Sequence, residues 1–229
     1  MKTYAIIVAM EKEIVHFKKV FNCTKTHNIC NITFYEGTYL ENRIIFTKAG
    51  IGKVNAAVAT TLLIEHFNPD LVINTGIAGG YNQELKPLDI VVADKVLYSD
   101  VDMTSPIAGS YKYGQIEGLP EYFETSFKIL ENINDCKIGS ILTGDQFVDN
   151  YNKCDQLVKE HFINYNVLAF DMESGSIAHI CTLNNINFII MRAISDIIGS
   201  TNEFDYLSFS TQAVEKVSKK VLEIIKKWL

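Results

Sequence analysis

Leu71-Val72-Ile73-Asn74, followed by Thr75-Gly76-Ile77-Ala78-Gly79-Gly80, is the stretch whose reading decides the fold. Its first part is a continuous apolar run rather than an alternating one. Strands of that kind are buried on both faces, as in parallel sheets covered by helices. The glycines after it read as a turn that leads out of the strand. Short apolar runs of the same type stand at Ala5–Ala9, Arg43–Thr47, Ile90–Ala93, Gly139–Leu142, Leu168–Phe170 and Phe188–Ile194, the last being the most apolar. Helical patterns separate them, over Glu11–Val20, over Asn55–Phe67 up to Pro69, from near Glu173 to Leu183, and over a long amphipathic segment from Phe204 to Trp228. The expectation is one domain over residues 1–229, an α/β fold of three layers (α/β/α) around a central mixed, mostly parallel twisted sheet.

Composition narrows the function. The 229 residues are 48% hydrophobic and carry a net charge of −6, from 21 basic and 27 acidic side chains. Arg43 and Arg192 are the two arginines, and no basic run is interleaved with aromatics, so a nucleic acid partner is not expected. Cys23, Cys30, Cys136, Cys154 and Cys181 are odd in number and none stand at C-x-x-C spacing, which fits a reducing compartment and argues against zinc and disulfides. The apolar run after Lys2 is too short for a signal-peptide core, and no stretch approaches the ~20 residues of a membrane span. A cytoplasmic protein without metal or other cofactor is expected. Ser99–Pro120 is a long irregular stretch, of the kind that is usually functional.

In open α/β sheets ligands bind beyond the carboxyl ends of the strands. The residues that follow the apolar runs are Met10 and Glu13, then Thr75–Gly80, Thr143-Gly144-Asp145, Asp171-Met172-Glu173 and Ser195-Asp196. Carboxylates and glycines therefore gather at one edge. Each has a plain structural reading as well. The glycines could simply turn the chain, Glu13 and Glu173 could be first-turn acids favoured by a helix dipole, and Asp196 could be a cap. The glycines do not form G-x-G-x-x-G, and no lysine follows them as in a P-loop. Arg192 lies inside an apolar strand, so it must meet a carboxylate: Asp196, which strand alternation would place on its side, or one on a neighbouring strand.

These segments join into a family pattern: Ala9-Met10-Glu11-Lys12-Glu13-Ile14, residues 50–57 (GIGKVNAA), 74–80 (NTGIAGG), 89–94 (DIVVAD), 111–116 (YKYGQI), 144–147 (GDQF), 171–179 (DMESGSIAH) and 192–196 (RAISD). In this order, over essentially the whole chain, they resemble the 5′-methylthioadenosine/S-adenosylhomocysteine nucleosidases of the purine nucleoside phosphorylase superfamily. The resemblance implies a nucleoside phosphorylase-like fold, a homodimer, and hydrolysis of a 5′-modified adenosine to release adenine. It implies that Asp196 is the general acid at the purine, supported by Ser195, and that Glu13 activates water with Arg192 orienting it. Glu173 would hold the ribose hydroxyls above Met172. Phe147 and Val148 would form the purine platform. Met10, Ile77, Ala78, Gly79 and Phe204 would complete the substrate site.

The sequence departs from the pattern at three kinds of place. Ile77 stands where many members have Ser, Asp171 replaces the first Glu of Glu-Met-Glu, and Ser105–Ser110 is longer than expected while the segment from Asp196 to Phe204 is shorter. These bear on the pocket for the 5′ substituent. A phosphorolytic enzyme of the same fold would need several basic groups for phosphate, which two arginines and Glu13 disfavour. A nucleoside-binding protein without turnover would not need three carboxylates.

Overall fold

The first strand, β1 (Thr3–Val8), shows how the sheet is covered. Tyr4, Ile6 and Val8 pack into one hydrophobic cluster and Ala5 and Ile7 into another, the two-residue alternation of a strand buried on both faces. The computed structural model describes residues 1–125, 130–131, 133–199 and 203–227, the last stretch with side chains from 209 onward.

After β1 come α1 (Glu11–Val20), a meander of β2 (Asn22–Ile29), β3 (Ile32–Tyr39) and β4 (Asn42–Lys48), and α2 (Lys53–Phe67). Then follow β5 (Leu71–Gly80), β6 (Ile90–Tyr98), the short β7 (Phe123–Glu124) and β8 (Lys137–Thr143). The chain continues with α3 (Tyr151–His161), β9 (Val167–Asp171), α4 (Ser174–Leu183), β10 (Phe188–Ile197) and α5 (Glu203–Lys227). Ala56 and Leu63 of α2 and Ile177 and Cys181 of α4 join the cluster that holds Ala5 and Ile7. Ile14 and Phe17 of α1 and Val217 and Val221 of α5 join the one that holds Tyr4 and Ile6. Helices therefore pack on both faces.

The sheet is mixed. Among the described residues five ladders are parallel and five antiparallel, the latter including the β2–β3–β4 meander. One part closes on itself. β10 pairs with both β5 and β6, β6 with β8, β8 with β9, and β9 returns to β5 at Gly79 and Gly80. The glycine-rich run read as a turn is thus the second half of a ten-residue strand. It leaves β1 after Asn74, stays beside β10, and reaches β9 at its end.

β10 likewise runs beyond the expected strand end and takes in Ser195 and Asp196. Between Ile194 and Asp196 its register against β5 slips by one residue. Such a bulge shifts every later side chain to the opposite face. Ile190, Ile194 and Ile197 consequently pack on the same side of the strand, and Asp196 no longer shares a face with Arg192. Four elements had no counterpart in the sequence reading: β2 and β3 of the hairpin, β7 and α3. β2 is a polar, largely exposed edge strand, without an apolar run to mark it.

Candidate active site

Glu13 sits in the first turn of α1 and is almost fully buried. Its Oε2 accepts the backbone N–H groups of Ala9 at 2.9 Å and Met10 at 2.8 Å, and its Oε1 accepts that of Ile77, on β5, at 3.2 Å. Three backbone donors thus hold the carboxylate between two elements. Gly76 makes room for it: a Cβ there would lie 2.6 Å from Oε1. Burial raises the Glu13 pKa, against the lowering effect of these N–H groups and of the Arg192 charge.

Beneath the cleft lies a buried polar network. Arg192 Nη2 donates to Asp171 Oδ2 at 2.6 Å, to Asn74 Oδ1 at 2.6 Å and to Ser174 Oγ at 3.1 Å. Asp171 also accepts from Thr143 Oγ1 at 2.6 Å and from the hydroxyl and N–H of Ser174 at the start of α4. The carboxylate that the buried arginine requires is therefore Asp171 rather than Asp196, because the bulge turns Asp196 away. The Glu13 oxygens already have three backbone donors, and Arg192 acts on them through its charge. Arg192 Nε and Thr75 Oγ1 are buried with no hydrogen-bond partner among the described residues.

Glu173 is the residue just before α4. Its Oε1 accepts the Gly52 N–H at 3.0 Å, and its Oε2 lies 3.9 Å from Arg192 Nη2. Burial, then the neighbouring Asp171 charge, pushes the Glu173 pKa up to about 7, while Arg192 and the Gly52 amide pull it down. Asp196, half-buried, is gripped by Ser195, whose Oγ lies 2.5 Å from Asp196 Oδ1 and 3.3 Å from the Ala78 carbonyl.

Glu13, Asp171, Glu173, Arg192, Ser195 and Asp196 meet in one cleft with about 770 Å3 of empty space, part of it open to solvent, within the ~300–1,000 Å3 range of small-molecule pockets. Met10, Glu13, Ile77, Ala78, Gly79, Phe147, Val148, Met172, Glu173, Arg192, Ser195 and Asp196 all line it. Phe147 stands at the rim and is 73% exposed. Among the described residues no group of three or more His, Cys, Asp or Glu side chains is arranged to hold a metal ion, and no helix is long and apolar enough to cross a membrane.

Comparison with known proteins places this cleft. The family model of the phosphorylase superfamily matches residues 3–226. The 5′-methylthioadenosine/S-adenosylhomocysteine nucleosidase of Oceanobacillus iheyensis is 36% identical, covering 98% of this chain and 99% of its own. That of Bacillus pumilus is 37% identical over 97% of each. The crystal structure of the Neisseria meningitidis 5′-methylthioadenosine/S-adenosylhomocysteine nucleosidase, in complex with methylthio-immucillin-A, superposes with a TM-score of 0.91 at 34% identity, covering 99% of this chain and 100% of that one.

The chain belongs to the 5′-methylthioadenosine/S-adenosylhomocysteine nucleosidase family.

Twelve of the thirteen residues that the nucleosidase pattern singled out line the one cleft; the side chain of the thirteenth, Phe204, lies outside the described residues. Sequence reasoning placed Thr75 and Gly76 at the functional edge without a role of their own, gave none to Asn74 or the Gly52 amide, and gave Asp171 none in the nucleosidase site. Asn74 carried a signal, a lone amide in a buried strand. The Gly52 amide carried none, because its partner is 121 residues away.

Proposed function

We propose that this nucleosidase hydrolyses the N-glycosidic bond of 5′-methylthioadenosine, S-adenosylhomocysteine and related 5′-modified adenosines, releasing adenine. The observation that carries the reading is the meeting of Glu13, Glu173 and Asp196, from three distant parts of the sequence, around one cleft rimmed by Phe147 and Val148. Departure of adenine leaves a sugar with oxocarbenium character and puts negative charge on the purine. Asp196, oriented by Ser195, donates a proton at the purine N7 and makes adenine a better leaving group. Glu13 takes a proton from the attacking water. Its raised pKa suits a base working near neutral pH, and its backbone clamp fixes the direction of the free lone pairs.

Glu173 accepts the ribose hydroxyls, and Met172 packs against the sugar. Arg192 holds Asp171, keeps positive charge below Glu13 and Glu173, and thereby steadies both. Acid and base on opposite sides of the bond parallel glycoside hydrolysis. The phosphorolytic alternative loses support, because Arg192 is committed to Asp171 and Arg43 to Glu36, away from the cleft.

The active unit in this reading is a homodimer of single-domain, three-layer subunits in the cytoplasm. Ile51, Val54 and Val58 form an exposed apolar stripe on and just before α2, with Val54 74% exposed. Ile51 and Phe147 both line the cleft, so the stripe reaches its mouth. A two-fold contact buries such a stripe twice, and the Ser105–Tyr113 segment, with Ile107 fully in water, would cover the neighbour's 5′-substituent pocket. Five unpaired cysteines fit a reducing compartment.

Adenine release in phosphate-free buffer tests the reaction. The expected outcome is a rate unchanged by added phosphate or chelator. A rate that rises strongly with phosphate and yields a sugar 1-phosphate would overturn hydrolysis.

A further inference from the structure

Two consecutive backbone N–H groups at the start of α2 reach opposite sides of the cleft. That of Gly52 donates to Glu173 Oε1 at 3.0 Å, and that of Lys53 to Asp145 Oδ1 at 2.7 Å. Asp145 stands two residues before Phe147. Its own N–H donates to Asp100 Oδ2 at 2.8 Å, and Asp100 Oδ1 receives Lys53 Nζ at 2.7 Å. Lys53, Asp145 and Asp100 thus close a ring of charge-assisted bonds that joins α2, the segment after β6 and the segment after β8.

Asp145 itself is exposed, and the other two members of the ring are better shielded. Lys53 and Asp100 have side chains only 22% and 16% exposed, which limits screening of their pair. Lys53 also lies 5.3 Å from the centroid of the Tyr98 ring. Gly52 has a φ of +94°, and a Cβ there would stand 3.1 Å from Asp145 Oδ1, so the approach of the two segments depends on glycine. None of Lys53, Asp100 and Asp145 lines the cleft. A carboxylate at a helix N-terminus is stabilising in its own right. What exceeds capping here is the pairing of adjacent amides, one on the sugar-side carboxylate and one on the purine-side segment.

We propose that Asp145, held by the Lys53 amide and by Asp100, is a positioning residue that fixes the purine platform Phe147–Val148 at a set distance from Glu173. The proposal rests on the nucleosidase reading of the cleft. Substrate must touch both sides at once for Asp196 and Glu13 to act on the bond between purine and sugar. A platform free to drift by about 1 Å loses on the order of 10²-fold in rate.

The full chain is tested as wild type and as Asp145→Ala, Asp145→Asn, Lys53→Met and Lys53→Arg. The readouts are kcat, KM, the inhibition constant of adenine, and Tm. Wild type that releases no adenine would sink the nucleosidase reading, and the proposal with it. With an active wild type, Asp145→Ala is expected to raise KM and the adenine inhibition constant about tenfold and to lower kcat/KM about 10- to 100-fold. Asp145→Asn, which keeps an acceptor oxygen, and Lys53→Arg, which keeps the charge, should recover most of the loss. An Asp145→Ala protein with a lower Tm but wild-type KM and adenine inhibition would overturn the positioning role and leave the nucleosidase reading standing. Should Asp145→Ala not fold, Lys53→Met, which removes the tie to Asp100, decides: weaker adenine inhibition that Lys53→Arg restores supports the proposal, and wild-type constants overturn it.

Discussion

The floor and the rim of the cleft are built on different principles. At the floor, Asn74 and Arg192 lie within β5 and β10, Asp171 ends β9 and Ser174 opens α4; all four are buried, and they exchange short hydrogen bonds. At the rim, Phe147 stands on the segment between β8 and α3 and faces solvent. The floor is held by buried hydrogen bonds within the chain, whereas Phe147 at the rim stands largely in solvent. Chemistry that needs fixed charges is carried by strands, and recognition of variable groups by loops.

Removing the reacting carboxylates should break the cleft most severely. Asp196→Asn and Glu13→Gln are each expected to lose ~10²–10⁴-fold in kcat while nucleoside binding, followed by calorimetry, changes little. Near-wild-type turnover in either would remove that residue from the mechanism. A cut at the floor itself should register as stability. Asp171→Ala leaves Arg192 as a buried charge without its carboxylate, and a loss of about 3–5 kcal/mol is expected in denaturant unfolding. A loss below 1 kcal/mol would mean that Asn74 and Ser174 satisfy the guanidinium alone.

The third contrast concerns pH. The Glu173 carboxyl, raised from 4.5 to about 7, keeps its proton in the folded chain over a range where the unfolded chain has released it. The native state thus binds more protons there, and stability should fall as pH rises from about 4.5 to about 7. Glu13, also raised, contributes with the same sign. Tm measured across this window should decline in wild type and decline less in Glu173→Gln; equal slopes would contradict the burial of that charge. The smallest effect on the chain itself is expected at the rim. Val54→Glu should change subunit stability by no more than about 0.5 kcal/mol, yet sedimentation should show monomers. A dimer that persists would exclude the α2 stripe from the contact.

How much was legible depended on how local the cause was. Arg192 announced its need for a carboxylate, because a lone guanidinium in an apolar strand must be paired. The identity of that carboxylate was hidden by a bulge, which no local pattern marks. Glu13 was legible as a site residue, but its clamp depends on an Ile77 amide from another element. The glycines of β5 were misread as a turn, since a strand that changes neighbours half-way needs small residues where side chains of other elements press in. The β2–β3 hairpin escaped because its outer strand buries almost nothing. The order of the family segments gave the family, and the described structure brings twelve of their thirteen singled-out residues together.

The slip between Ile194 and Asp196 makes the placing of the proposed general acid a matter of parity. Along β10 the count from Arg192 to Asp196 is even, which in an unbroken strand would stack cation and acid on one side and let them neutralise each other. One supernumerary residue turns the count odd. One residue added to β5 between Ala78 and Gly79 would absorb the slip, restore unbroken pairing and send the acid to the cation's side. What separates acid from cation is therefore the mismatch between five residues of β10 and the four of β5 that they face.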